Sequence, residues 1–349
     1  MHIDRFDPKA DTGRLDACYE MFTASVRADD PDAPAMSRDE FEGWWSAAYS
    51  GDPQQAFLTT DTTGPVGCCL LGLPFRENTH AAYCTPIVPS PHRRRGIGTA
   101  LLNRSMHEAR AAGRSILTSS TLIGSPGAAF AAAQGAVSGI GDVRRVMNVA
   151  DCPPDRRSAL RASAEPKATD YHLVSWSGRT PEIYLDQTAQ VEKAMSDAPR
   201  NPGMEATVWD TERIRAAEQA GLDRGVGFFA VAAMHAGTGE IAALTEIADI
   251  GAGSPGWGEQ LITAVTRPHR GHRLGLLVKL AMLDLLAEQA PRMRWIVTSN
   301  AELNQHMIAI NEQLGYRITG RFLTWQLDLA AASSGTVSQQ REAGQAASR

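Results

Sequence analysis

The sequence predicts a duplicated α/β fold, two like units one after the other. Three observations predict it. The chain has 349 residues, more than one ordinary core holds and suited to two domains of about 165 residues each. The stretch Val88-Pro-Ser-Pro91-His92-Arg93-Arg94-Arg95-Gly96-Ile97-Gly98 returns as Val265-Thr-Arg-Pro268-His269-Arg270-Gly271-His272-Arg273-Leu274-Gly275, with Val, Pro, His, Arg and Gly in register at a constant offset of 177. Both copies follow an extended apolar run and open an amphipathic helical pattern.

The first unit is expected over residues 1–150. After its motif come a helix over 99–112, a strand over 115–119 and a second helix stopped at Gly135. A link over 151–168, with Pro153, Pro154 and Pro166, reads as rich in turns. The second unit is expected over 169–329. In it Phe228–Ala236, Glu240–Ile247 and Gln260–Thr266 read as successive strands, and Gly237-Thr238-Gly239 reads as a hairpin turn between the first two. A helix over 276–289, a strand over 293–298 and a helix stopped at Gly315 follow. Asp32-Ala33-Pro34 and Asp197-Ala198-Pro199 are a further echo between the units. Residues 330–349 are Ser-, Gln-, Ala- and Gly-rich without periodicity, which predicts a disordered tail.

Composition narrows the function. With 43% hydrophobic and 21% charged residues the chain is neither disordered nor fibrous. A net charge of −5 speaks against a nucleic-acid binder that neutralises phosphates. No apolar run approaches the roughly 18 residues of a membrane span, and Met1-His2-Ile3-Asp4-Arg5 has no apolar signal core, so a cytoplasmic protein without membrane contact is expected. Cys18, Cys68, Cys69, Cys84 and Cys152 form no C-x-x-C pair, which favours buried reduced thiols over a metal site.

The chemistry concentrates at the turn before each motif helix. Arg93-x-x-Gly96-x-Gly98 puts small residues where backbone must approach a ligand, and it aims free amides along a helix start that favours an anion. A pyrophosphate suits such a turn, with Arg93, Arg94 and Arg95 as cationic support and Val88, Ile97 and Thr99 at its borders. No Gly-Lys-Ser/Thr exists for a Walker loop, and Leu101 stands where a dinucleotide fingerprint needs its third small residue. The G-x-G-x-x-G at Gly251–Gly256 contains Pro255 and precedes a strand, so it is no fingerprint.

On these residues the sequence resembles the GCN5-related N-acetyltransferase (GNAT) superfamily, whose acetyl-CoA signature is Gln/Arg-x-x-Gly-x-Gly/Ala between the fourth strand and the third helix. The first unit carries it at Arg93, Gly96 and Gly98; the second keeps Arg270 and Gly275 but has Arg273 in place of the first glycine. The tandem is similar to those of mycothiol synthase and of actinobacterial antibiotic-modifying acetyltransferases. The resemblance implies two domains, each a mixed, mostly antiparallel twisted sheet flanked by helices. It implies acetyl-CoA as co-substrate, no metal, and a small-molecule amine as acceptor, in a monomer or homodimer. In the second unit it implies cofactor contacts from Val265, Arg270, Gly271, His272, Arg273, Leu274, Gly275 and Asn304.

The resemblance also points to candidate catalysts. A general base often lies eleven residues before the signature's first residue; Glu259 stands there in the second unit and Ala82 in the first. Glu246 on the preceding strand is the reserve. Asn311 stands where a tyrosine often protonates the leaving thiolate, and Gly124 and Ala131 hold the corresponding places of Asn304 and Asn311 in the first unit. Asp197 is the candidate holder of a cationic acceptor. The expected function is therefore N-acetylation of a small amine, with the chemistry in the second unit. Other acyl transfer, mycothiol-type synthesis and a non-catalytic CoA sensor are the alternatives.

Overall fold

Local signals set the element boundaries. Asp11 caps the first helix by accepting from the Arg14 amide at 3.0 Å, Ser125 and Pro126 open the fourth, and Asn304 opens the last, which Gly315 ends at φ 97°. The computed structural model describes residues 1–46, 52–193, 200–250, 255–301 and 304–330. The first half runs β1 (His2–Phe6), α1 (Thr12–Asp29), α2 (Arg38–Ser46), β2 (Gln54–Asp61), β3 (Gly64–Gly72), β4 (Ala81–Ile87), α3 (Ile97–Ala111), β5 (Ile116–Leu122), α4 (Pro126–Ala133) and β6 (Val137–Asn148). After α5 (Pro154–Ala164) the order repeats: β7 (Tyr171–Ser177), α6 (Glu182–Lys193), α7 (Thr211–Leu222), β8 (Gly227–His235), β9 (Ile241–Asp249), β10 (Trp257–Val265), α8 (Leu274–Gln289), β11 (Trp295–Ala301), α9 (Gln305–Leu314) and β12 (Arg317–Asp328).

The twelve strands among the described residues form one sheet, in the order β1-β2-β3-β4-β5-β12-β6-β11-β10-β9-β8-β7. The duplication is visible in that order, and so is an exchange. β6, the last strand of the first half, pairs with β11 of the second, while β12 pairs with β5 of the first. The two exchanged strands also pair with each other along their length. The cores follow the strands. Leu329, 2% exposed, completes the core under α3, and Met147, fully buried, belongs to the core under α8. Arg110 fastens the exchange by donating to the Leu329 carbonyl at 2.8 Å.

Two pairs are parallel, and both come apart. β4 and β5 pair only from Ala81 to Tyr83, and β10 and β11 only from Trp257 to Glu259, after which the strands diverge. Helices α3 and α8 cover one face of the sheet; α1, α2, α6 and α7 cover the other.

The link is not the run of turns its prolines suggest. It carries α5, with Pro154 at its first turn, where a missing N–H costs nothing. The reason lies in α8. Eleven of its 16 residues are buried, against five of 15 in α3, so α8 has no face for water and needs a cover. Leu160 and Ala164 supply it, and Arg157 and Arg161 pair with Asp284 on α8. The tail beyond residue 330 lies outside the described residues. All five cysteines are buried and free.

The exchange makes Leu329 a core residue of the half it does not belong to in sequence. Leu329→Ala should cost about 2–5 kcal/mol in urea unfolding. A change below about 0.5 kcal/mol, as for a surface residue, would place the chain end elsewhere.

Candidate active site

Each motif turn is built the same way. Arg93 Nε donates to Val88 O at 2.8 Å and Arg270 Nε to Val265 O at 3.2 Å, so each arginine ties the end of its strand to the turn. The Arg93 guanidinium is further committed to Asp29, at 2.9 and 2.6 Å, and Arg95 reaches Asp61 at 3.0 Å. These arginines therefore brace the turn. What both turns offer an anion alike is backbone: the amides of 94–96 and of 271–273 donate to no acceptor among the described residues. They sit at positive φ before the helix, Arg94 at 62° and Gly96 at 79°, Gly271 at 90° and Arg273 at 57°. That is a cradle for phosphate oxygens, followed in both halves by a long helix.

Arg273 keeps the turn that a glycine makes in the first half. A left-handed non-glycine costs about 1–2 kcal/mol, and its guanidinium is held by Ser163 Oγ of α5 at 3.0 Å. Gly98 and Gly275 serve helix packing: a Cβ there would meet the Phe130 ring at 3.4 Å and Ile310 Cδ1 at 3.2 Å. His272 Nδ1 lies 2.9 Å from Lys167 O, and His269 Nδ1 2.9 Å from the Tyr171 hydroxyl.

Beyond the turns the halves differ. β10 shifts register between Gln260 and Ile262, leaving Leu261 without a partner on β9, whereas β4 pairs with β3 without a break from Tyr83 to Ile87. A buried polar clamp holds the bulge. Gln260 Nε2 reaches Glu246 O at 2.6 Å, Ile262 O at 2.8 Å and Thr245 Oγ1 at 3.0 Å, and Lys279 Nζ donates to Gln260 Oε1 at 3.0 Å. Burial lowers the Lys279 ammonium to about 7, and the Tyr316 ring lies 4.8 Å from its nitrogen. Tyr83, Leu102 and Pro86 stand in the first half where the second has Gln260, Lys279 and Thr263.

The bulge opens onto a cavity of about 510 Å³. Leu261 and Ile262 line it from β10, Tyr83 and Thr118 from the parting of β4 and β5, and Met204 to Trp209 from the connection between α6 and α7. Asp142, Glu192 and Glu205 give it acidic walls, against Arg200. Burial lifts Glu192 to about 7. Glu246 lies directly across β9–β10 from Ile262, on the same face, and burial with the nearby Glu192 and Glu218 carboxylates lifts it to about 8. A second cavity, about 290 Å³, shares the walls Asn78, Tyr83, Thr207 and Trp209. The glycine turns line neither one.

Glu259 ends the paired stretch of β10, on the cavity's face of the sheet but outside its lining. Burial and the Glu40 carboxylate of α2 raise its acid above the usual range. The side-chain carboxyls of Glu192, Glu246 and Glu259 make no hydrogen bond to another described residue; the Glu246 backbone oxygen is taken by Gln260 Nε2. Asn304 Oδ1 caps α9 by accepting from the Met307 amide at 3.3 Å. Asn311 is fully buried, its Nδ2 donating to Asn300 Oδ1 at 2.9 Å. Asp197 lies outside the described residues. The sequence reasoning missed the clamp, Glu192 and both cavities. Lys279, a single charge in Leu274–Leu283, was the available signal, because a buried ammonium needs a partner.

Residues 15–128 match the acetyltransferase (GNAT) family. The fold of the whole chain matches a tandem GNAT protein from the clavulanic acid biosynthesis pathway, solved without acetyl-CoA, at TM-score 0.78 and 26% identity, over 94% of this chain and 98% of that one. The whole chain has the fold of a tandem GNAT protein. A GCN5-related N-acetyltransferase from Sphaerobacter thermophilus shares the tandem GNAT chain's fold at TM-score 0.66 and 16% identity, over 94% and 96% of the two chains. So does the N-myristoyltransferase of Saccharomyces cerevisiae, at TM-score 0.58 and 12% identity over 93% and 80%. A sequence search among curated proteins gives no match. Family and neighbours support an acyltransferase enzyme. No helix among the tandem GNAT chain's described residues is long and apolar enough to cross a membrane, and no group of three or more metal-ligating side chains occurs among them.

Glu246 has a pH signature. Its folded-state value, about 8, lies above the ordinary 4.5, so its contribution to stability is complete below pH 4.5 and is lost as pH rises through 8. Glu246→Gln should therefore gain stability relative to the parent between pH 5 and 8. Parallel melting curves across that range would contradict the buried, protonated carboxyl.

Proposed function

We propose that the chain transfers the acetyl group of acetyl-CoA to a primary amine of a small molecule, with the chemistry in the second half. The observation that carries this is the bulge at Leu261. It interrupts the strand that runs into the 270–275 turn, and it opens onto the acidic cavity. A bulged residue is left out of the ladder, so the Leu261 amide is offered to a carbonyl oxygen. The amides of 271–273 fit pyrophosphate, having no other acceptor among the described residues.

Acetyl-CoA supplies an activated thioester. The amine nitrogen attacks its carbonyl carbon, an N–C bond forms, the C–S bond breaks and the thiolate leaves. A thiol of reference pKa about 8.5 leaves tolerably without an acid, which suits the buried Asn311 where a tyrosine often stands. The proton of the incoming ammonium goes to Glu246, assisted by Glu192 at the cavity wall. With its value near 8, the ionised minority of Glu246 takes that proton at neutral pH, and the share able to act grows as pH rises toward 8. Glu259, on the same face, is the competing base.

The first half keeps the amide cradle at 94–96 but lacks the rest. Its fourth strand is regular, Pro86 has no N–H to offer, and Ala82 stands at the place of Glu259. It holds cofactor without turning it over. Titration calorimetry with CoA should therefore find two binding events per chain, and one event would remove the first half from cofactor binding.

Thiol release with acetyl-CoA and an amine panel tests the activity itself; binding without turnover would make the chain a CoA sensor. In kcat/KM against pH, Glu246→Gln should lose at least tenfold, about 1.4 kcal/mol of transition-state stabilisation. If Glu246→Gln is silent and Glu259→Gln carries the loss, the base is Glu259. If His80→Ala, at the titratable residue two positions before Ala82 in the first half, is the one damaging change, the halves are assigned in reverse.

A further inference from the structure

We propose that Gln260 and Lys279 are positioning residues for acyl transfer: Lys279 fixes which way the Gln260 side-chain amide points, and Gln260 thereby holds the Leu261 amide and the Glu246 backbone in place. Neither side chain lines the larger cavity, so both act through the strands that do. The role rests on the reading that the second half polarises the thioester carbonyl at the Leu261 bulge.

A side-chain amide has two ends of nearly equal shape, one donating and one accepting, and its partners decide which end goes where. The three groups that Gln260 Nε2 reaches are acceptors. They are Glu246 O at 2.6 Å, Ile262 O at 2.8 Å and Thr245 Oγ1 at 3.0 Å, whose own hydrogen reaches Ile262 O at 3.1 Å. The Lys279 ammonium can only donate, and it takes the Oε1 end at 3.0 Å. A reversed amide would set its oxygen against two carbonyl oxygens and its N–H groups against the ammonium. Lys279 therefore excludes the reversed form.

These bonds span the bulge. Ile262 follows Leu261 on β10 and Glu246 is its partner on β9, so Gln260 ties both strands at the place where the ladder skips a residue. A ladder with an extra residue can slip by one position, and a side chain anchored to both strands holds the extra residue at Leu261. The bond to Glu246 O also fixes the backbone of the residue that takes the amine's proton. Stability alone does not ask for this arrangement. Lys279 is buried in a stretch, Leu274–Leu283, that is otherwise apolar, and a buried ammonium costs more there than a leucine.

The test uses the full chain with Gln260→Glu and Lys279→Met. Gln260→Glu keeps the size and leaves Lys279 a partner, but it turns an oxygen toward the two carbonyls. Lys279→Met keeps the amide and removes what orients it. Cofactor binding is read by calorimetry with acetyl-CoA and turnover by thiol release with the amine panel. Polarisation is read, without any amine, from the carbon-13 resonance of the acetyl carbonyl in bound, labelled acetyl-CoA. In the parent that resonance should move downfield from its place in free acetyl-CoA. Each variant should bind acetyl-CoA within about twofold of the parent, lose the downfield move, and lose about tenfold or more in kcat at unchanged KM for acetyl-CoA. Should one variant fail to fold, the other decides. A parent resonance that does not move, parent-like kcat in a variant that binds acetyl-CoA, or loss of cofactor binding in both variants overturns the proposal. A Gln260-dependent resonance without thiol release from any amine would uphold the positioning role and sink the amine-acetylation reading. Thiol release that neither variant slows would do the reverse.

Discussion

The exchange of the last strands governs everything else in this structure. A GNAT-like half leaves β5, or β11, with an edge that needs a partner, and an unpaired edge is an open template for aggregation. Each half supplies the other's partner: β12 lies on β5 and β6 on β11. The sheet is then continuous, and the two cores are completed from across the pseudo-symmetry by Leu329 and Met147. No helix among the described residues makes broad contact with β6 or β12. The middle of the sheet is therefore left for the connection between α6 and α7, which roofs the larger cavity. Ile140 and Asp142 of β6 and Thr324 and Gln326 of β12 line that cavity, so the exchanged strands form part of its wall.

Charge sets how the halves dock across that middle. Arg213 of α7 buries its guanidinium against Glu77 of the first half, and Arg144 of the exchanged β6 pairs twice with Asp30 of its own half, at 2.7 Å each, while its Nε donates to Thr319 Oγ1 of the second half at 3.0 Å. Asn78 and Glu205 exchange backbone and side-chain bonds, Asn78 N to Glu205 Oε2 at 2.6 Å and Glu205 N to Asn78 Oδ1 at 2.7 Å. Buried ion pairs add little net stability, because desolvation offsets attraction. Their effect is on register: a misplaced half would strand Arg213 or Arg144 without a counter-charge. The same segments line both cavities, so docking and the shape of the acceptor space are one problem.

The repeat, the strand and helix order and the two motif turns were legible because each is written in local pattern. Gly96 and Gly315 announce a left-handed turn and a helix stop, and α/β alternation announces the layers. The strand exchange was not legible, because β6 and β12 read the same whichever β5-like strand they join. Nor was the helix in the link: Pro153 and Pro154 signal a break, and only the all-round apolarity of α8 asks for a cover. At the site, Glu259 and Glu246 could be placed on strands by spacing. Glu192 could not, since its relevance comes from the parting of β4 from β5 and β10 from β11, a tertiary fact. The arginines of the first turn were legible as a cluster but not as braces, because Asp29 and Asp61 come to them only through folding.

The difference between the halves also has a physical unit. Gln260 and Lys279 depend on each other. A buried Lys279 without Gln260 would be an ammonium with no acceptor, and Gln260 without the bulge would lose the carbonyls of Glu246 and Ile262 that its amide reaches. In the first half Tyr83 and Leu102 replace the pair, and Pro86 sits in a strand that needs no clamp. Loss of either partner makes the other costly, so divergence at these positions proceeds as a set rather than residue by residue. The amide cradle carries no such coupling. Its geometry survives Gly96 or Arg273 alike, since it asks only for positive φ and a helix behind it. The turn geometry therefore persists in both halves while the bulge occurs in one.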